Sequence, residues 1–446
     1  MSIPDHLDVC DEVLALVGDR AEAQVVVSAG RSSLTRFANS GIHQNVAEDA
    51  VHVGLRVSLD GKLSSAGTSA TDHESLGRLV DRALDAAALR PVDTDWPGLA
   101  PAAAAPDLSA GFDAATHDAT PEQRAAVVRA FVDGAPELRA AGYCDTDSSV
   151  VSFANTAGQR LVGRSTRSTI DGIHQSDTSA GSAHQTSTRL ADIDGVAAGE
   201  RAALKARSSI DAVDIEPGVY PVLLEPEAVA TILVFLAAYG FNAKAHAEGR
   251  SFAHPGEQQF DPSISIWDDA LDARGIPFPF DVEGTPKSRL DLVAGGKTVG
   301  LTHDRRTAAK AGVESTGHGV PGGESFGGYA QNAFLGGGSA SHDELVTAVD
   351  RGLLITCFNY CRILDEKTQV VTGLTRNGTF LVENGKIAGA VRNLRFTQSF
   401  VGALGPGKVL AVGNDGRLAD SEFGPGGCWA PSLALAGWNF TGGAKG

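Results

Sequence analysis

The chain has 446 residues, 42% hydrophobic and 20% charged, which excludes a disordered chain and provides ample material for a core, with a prior of two to three domains at about 150 residues each. Lys plus Arg number 37 against 54 Asp plus Glu, a net charge of −17, which argues against direct nucleic-acid contact or an anionic membrane partner, because both need clustered cations. Five cysteines are no disulfide framework, and residues 1–8 lack the basic start and apolar stretch of a signal peptide, so a soluble cytoplasmic protein is expected.

In chain order, Leu7, Cys10, Val13, Leu14 and Val17 recur at helical spacing, with Gly18 as a stop. Residues 22–29, 34–39 and 51–59 read as strands, and Asp60-Gly61 is a hairpin signal. Leu76, Leu79, Val80, Ala83, Leu84 and Ala87 form an amphipathic helix that ends before Pro91. Residues 91–120, rich in Pro, Ala, Asp and Gly, read as a long exposed connection. Thr120-Pro121 opens another helix, and residues 147–190 alternate polar with apolar as antiparallel strands with one wet face do. Arg36-Phe-Ala-Asn-Ser40 is echoed by Ser152-Phe-Ala-Asn-Thr156, through either a structural repeat or two similar strand-to-turn junctions.

A helix over 196–207 is capped by Asp194, after which the texture shifts at Glu216-Pro217-Gly218. The expectation is an α+β protein with a boundary near 215: an N-terminal α/β domain, 1–215, with an antiparallel sheet and flanking helices, then a Gly-rich, mainly β C-terminal domain, 216–446. Pro226 and Gly240 bracket a helix over 227–239; its uncharged run, 228–241, is shorter than the roughly 20 residues a bilayer needs, so it reads as a buried helix. Ser341 and Glu344 form a capping box, with Gly352 closing that helix. Short strands follow at 352–364, 369–374, 378–383, 386–390 and 392–397, with a hairpin at Asn384-Gly385.

Chemistry is sparse. Neither His-Glu-x-x-His nor His-Glu-x-x-x-His occurs, and His246 and His254 around Glu248 match no ligand spacing. Cys357 and Cys361 are half a zinc site with no second pair, and they read, like Cys428, as small buried hydrophobes. No strand-to-helix nucleophile elbow and no complete catalytic set is read in this chain. The glycines around 317–328 and 336–338 permit close approach of an extended peptide, which makes His318, Asn332 and Cys428 candidate cleft residues. Free sheet edges in this domain would hold such a peptide by main-chain pairing.

Several blocks carry a family resemblance. Residues 351–356 (RGLLIT), 370–387 (VVTGLTRNGTFLVENGKI) and 391–396 (VRNLRF), with Trp438-Asn-Phe-Thr441 as a closing strand, resemble the C-terminal core of the TldD/PmbA family. Gly54-Leu-Arg-Val, Asp60-Gly61 and Arg36-Phe-Ala-Asn-Ser40 fit its N-terminal domain. TldD-like subunits carry a His-Glu-x-x-x-His helix that binds the metal of a peptidase; TldE (PmbA)-like subunits lack it and pair with TldD. Here the helix that looks equivalent, starting Glu225-Pro-Glu-Ala-Val-Ala-Thr, holds no histidine, so the chain resembles the TldE arm. The resemblance implies a heteromeric cytoplasmic metallopeptidase acting on peptides or unfolded protein, with the metal ion, zinc, in the partner and no metal ligand or cofactor in this chain. Competing expectations are a stand-alone enzyme recruited to a biosynthetic pathway and a regulatory protein-binding subunit.

Overall fold

The computed structural model describes residues 4–443; the first three residues of the N-terminal stretch read above lie outside them. The first half of the chain repeats one pattern of helix, three-stranded meander and helix. The first copy is α1 (Leu7–Val17), β1 (Glu22–Ala38), β2 (Gly41–Leu59), β3 (Lys62–Thr68) and α2 (His73–Ala88). After the short α3 (Ala114–His117), the second is α4 (Pro121–Asp133), β4 (Arg139–Asn155), β5 (Arg160–Gln175), β6 (Ala180–Ser187) and α5 (Gly195–Ser208). β1 and β4 pair antiparallel from Gln24↔Asn155 to Phe37↔Gly142, joining the copies into one sheet ordered β3-β2-β1-β4-β5-β6. The echoed segments are the ends of β1 and β4, so each opens the first hairpin of its copy, and the echo belongs to a structural repeat.

The strands expected at 22–29 and 34–39 are a single strand. Gly30 to Ser33 break the apolar alternation but stay in the ladder opposite Ala50 to Ala47. β2 begins at Gly41, because residues 41–50 already pair with β1; they are exposed on both faces, so no hydrophobic period marks them. The connection over 91–120 does not run free over the surface. Arg306 pairs with Asp93 at 2.6 Å, Arg305 donates to the Leu99 carbonyl at 2.8 Å, and Asn155 Nδ2 donates to the buried Ala100 carbonyl at 2.8 Å. It straps the first sheet to the second half.

Helices cover one face of the first sheet. α1 and α2 pack on Val25, Val27, Val53, Leu55 and Val57, and α4 and α5 pack on Phe37, Cys144 and Ile170. Side chains alternate along a strand, so Tyr143, Asp171 and His184, directly opposite one another on β4, β5 and β6, share the other face. That face meets the second half of the chain.

The second half contains β7 (Gly218–Leu224), α6 (Pro226–Phe235), β8 (Ile266–Asp268), β9 (Leu290–Ala294), β10 (Lys297–Thr298), β11 (Ala333–Leu335), β12 (Gly352–Asp365), β13 (Val370–Glu383), β14 (Lys386–Ala390), β15 (Leu394–Ser399), β16 (Val409–Val412), β17 (Arg417–Ser421), β18 (Gly424–Ala430) and β19 (Leu433–Gly443). Two sheets result among the described residues, ordered β10-β9-β8-β11-β18-β17 and β12-β7-β19-β15-β13-β14. β12 also pairs with β13, closing five strands of the latter into a barrel, so β12 and β13 have no edge free for a peptide. β13 is one strand rather than two: its ladder with β12 passes from Arg376 to Thr379 over a bulge that skips Asn377 and Gly378, the latter at φ 142°. The helix begun at Ser341 stops at Val349 with Asp350 at φ 54°, and Gly352 opens β12 instead of capping it.

The barrel core is aromatic. Trp438, fully buried, lies 5.1 Å from the Phe358 ring, 5.4 Å from Phe396 and 5.6 Å from Phe400. α6 is buried on nearly every side, as its apolar run from Ala228 onward requires, and the helix expected to run to 239 loosens at Leu236–Gly240 into a wider π turn. Among the described residues no helix is long and apolar enough to cross a membrane. Truncation of Trp438 to Ala is expected to cost about 3–5 kcal/mol in urea unfolding, the range for a large buried aromatic; a loss below about 1 kcal/mol would show that the surrounding rings repack.

Candidate functional site

The three residues singled out in the sequence meet at a carboxylate that was not. Asp268, at the end of β8 and 1% exposed, lies 3.1 Å from His318 Nε2 and accepts from the Asn332 backbone N–H at 2.7 Å. His318 Nδ1 lies 2.8 Å from the Thr316 hydroxyl. Ala333 pairs with Asp268 on one side and with Cys428 of β18 on the other. Burial works against the charge on Asp268, yet the bond and charge of His318 hold it below its usual range. Burial and then the nearby Asp268 charge push the Cys428 thiol up to about 12. His318 and Cys428 are both buried, so this constellation is an internal knot joining β8, β11 and β18 and not an open cleft.

A second constellation lies where the polar face of the first sheet meets α6 and β17. Glu227, in the first turn of α6 and buried, accepts from Arg417 of β17, with Nη2 at 3.0 and 2.9 Å from its two oxygens and Nε at 3.3 Å. Burial opposes the Glu227 charge, but Arg417, then Lys205 and His184, hold it well below the usual carboxylate range. Lys205 of α5 bonds Glu225 at 2.6 Å, and one turn into α6 the Thr231 hydroxyl accepts from the Glu422 N–H at 3.2 Å. On the facing sheet, His184 Nδ1 lies 3.0 Å from Asp171 Oδ1 and 3.4 Å from Asp420 Oδ2. Burial disfavours the imidazolium, but Asp171 and Asp420 outweigh it and push His184 up to about 9. Arg201 of α5 donates to the His184 carbonyl at 3.1 Å. A cavity of about 590 Å³, lined in part by His184, Arg201, Arg274, Arg417 and Trp429, opens beside this cluster.

None of Asp171, His184, Glu227, Arg417 and Asp420 forms a local motif, since they come from four elements of both halves. The one signal within the sequence is Glu227, a charge just inside an otherwise apolar helix.

The remaining candidates are elsewhere. His246 Nδ1 lies 3.0 Å from the Ala253 carbonyl, and His254 is exposed. All five cysteines are free thiols; burial pushes Cys357 up to about 11 and Cys361 higher still. Gly323-Glu-Ser-Phe-Gly327 is a Gly-x-Ser-x-Gly sequence, but it forms a four-residue helix after a loop, with Glu324 paired to Arg56, and not the strand-to-helix elbow that exposes a nucleophile.

A family model described as the PmbA/TldA metallopeptidase C-terminal domain matches residues 217–442, and another, described as PmbA/TldA metallopeptidase domain 1, matches residues 23–87. The Metalloprotease slr0863 of Synechocystis sp. is 32% identical over 136 residues, which is 29% of this chain and 28% of that relative. Among solved structures, TM0727 of Thermotoga maritima, described as a modulator of a DNA gyrase, superposes with a TM-score of 0.84 at 22% identity, covering 98% of this chain and 100% of that one. TldE of Thermococcus kodakarensis gives 0.86 at 16% identity, covering 98% and 99%. These two share the fold. The chain belongs to the PmbA/TldD family of metallopeptidase-related proteins.

Proposed function

We propose that this chain is the TldE-like, non-catalytic subunit of a cytoplasmic metallopeptidase that processes peptides and unfolded segments, and that a TldD-like subunit bearing His-Glu-x-x-x-His supplies the catalytic zinc. The observation that carries this reading is the state of α6. A peptidase metal needs three donors converging on one point with an open position left for water. α6 contains no histidine, and its only carboxylate, Glu227, is committed to Arg417. The residues of this helix therefore do not fit a peptidase metal, and no catalytic step is assigned to them. The Synechocystis relative named as a metalloprotease and the Thermococcus structure named TldE agree with a role in this chemistry.

The test is peptidase activity of the purified chain, alone and mixed with its His-Glu-x-x-x-His paralogue from the same source. The chain alone should be inert on unstructured peptides, and the mixture should co-elute and cleave them. Cleavage by the chain alone, or no complex with the paralogue, would overturn the reading.

The Glu227–Arg417 pair has its own signature. Arg417→Met alone strips the buried Glu227 carboxylate of its nearest cation and is expected to cost about 3 kcal/mol in chemical denaturation, whereas Glu227→Met alone leaves Arg417 partly exposed and should cost less. Glu227→Met combined with Arg417→Met should return to within about 1 kcal/mol of the parent, because well-packed apolar groups replace buried ion pairs at little cost. Additive losses in this double-mutant cycle would show that the two side chains act independently.

A further inference from the structure

We propose that Asp171, His184 and Asp420 form a binding site for one divalent transition-metal ion, zinc or manganese in class, which clasps the first sheet to β17. The site is separate from the peptidase metal assigned above to the partner, and it stands on residues outside α6. One ligand atom from each of the three residues lies within 4.8 Å of the other two. His184 Nδ1 is 3.0 Å from Asp171 Oδ1 and 3.4 Å from Asp420 Oδ2. Two donors at about 2.0–2.2 Å from a shared ion stand about 3.3–3.6 Å apart at the tetrahedral angle and about 2.8–3.1 Å apart at a right angle, so the two separations fall within the range of a common ion.

Hydrogen bonding accounts less well for the same arrangement. His184 Nδ1 is buried, and despite two carboxylate oxygens at short range it makes no hydrogen bond of acceptable geometry. A lone pair given to an ion shared with the two oxygens would satisfy that nitrogen.

The backbone builds the site. Asp171 and His184 are direct cross-strand partners on β5 and β6, which fixes both side chains on one face of the sheet. Asp420 arrives from β17 in the other sheet, so the three donors converge only when the two halves are docked. Asp420 Oδ1 accepts from the Thr186 hydroxyl at 3.4 Å, which orients the carboxylate and leaves Oδ2 toward His184. Remaining coordination positions can be filled by water, since Asp171 is 32% exposed and His184 lines the 590 Å³ cavity. Two carboxylates, a neutral imidazole and a dication sum to zero charge, so the cluster is neutral at the seam. One imidazole with two carboxylates and no thiolate favours zinc or manganese over copper(I), and the nitrogen donor disfavours magnesium and calcium.

The test uses the full chain without any partner, stripped with a chelator, and calorimetric titration with Zn²⁺ and Mn²⁺, with Mg²⁺ as control. One Zn²⁺ or Mn²⁺ ion should bind per chain and raise the thermal unfolding midpoint. Asp171→Asn, at the most exposed ligand, and Asp420→Asn should each weaken binding at least about 10-fold, the least a disturbed metal shell costs. His246→Ala and His254→Ala should leave binding unchanged. The proposal is overturned if neither Zn²⁺ nor Mn²⁺ binds stoichiometrically, which would leave His184 as an imidazolium between two carboxylates, or if both Asp variants bind as the parent does. Peptidase activity of the mixture does not enter this readout, so failure here leaves the subunit reading standing.

Discussion

A carboxylate in the first turn of an apolar, buried helix cannot stay ionised without a cation against it. Glu227 meets that demand through Arg417, and the demand organises much of the molecule. Arg417 is the first residue of β17, so neutralising Glu227 fixes β17 beside α6. Asp420, three residues on in the same strand, is thereby delivered to His184 on the opposing sheet. Against an apolar pair of equal volume such an ion pair stabilises little, but a misdocked arrangement leaves a buried charge unpaired at several kcal/mol. Its main effect is to permit one register between the halves.

The repeated half supplies the surface for that docking. Each copy lays its helices on the same side of the shared sheet, so the other side is free to carry Tyr143, Asp171 and His184 in a row. A sheet with a polar inner face would be costly alone. It is tolerated because the second half brings opposite charges to it, and because the strap near residue 100 holds both halves through Arg305, Arg306 and Asn155. Closing β12 onto β13 leaves those two strands no edge for a peptide ladder. The open space lies instead beside the seam, where both halves contribute to the cavity wall.

Much of this was legible in the sequence, and the misses share a cause. Helices announced themselves where an apolar stripe met a cap: Thr120 before α4, Asp194 before α5, and Ser341 with Glu344 all act as capping side chains. The α+β class followed from the same patterns, and the family from the blocks around Thr372 to Phe380. The long strands were read short for two reasons: Gly30 to Ser33 interrupt the apolar alternation in the middle of β1, and the first ten residues of β2 are wet on both faces and so have no period. The seam was invisible for another reason. Its residues are set by register between strands far apart in the chain, and a lone Asp or His on a strand looks the same whether it meets solvent or a partner.

Convergence of His318, Asn332 and Cys428 on Asp268 shows how far residue type alone carries an argument. Glycine density and the histidine pointed to the right neighbourhood, yet the chemistry there runs against a nucleophile. A reactive cysteine needs a depressed pKa and a base within reach. Cys428 instead has a thiol raised to about 12 by burial and by Asp268, and His318 spends both ring nitrogens on Asp268 and Thr316. An acid that binds the histidine and at the same time repels a thiolate is suited to holding three strands together and unsuited to activating sulfur. The glycines then serve the backbone: a Cβ on Gly328 would sit 2.4 Å from the His318 carbonyl, so close packing of chain on chain, and not of chain on substrate, accounts for that position.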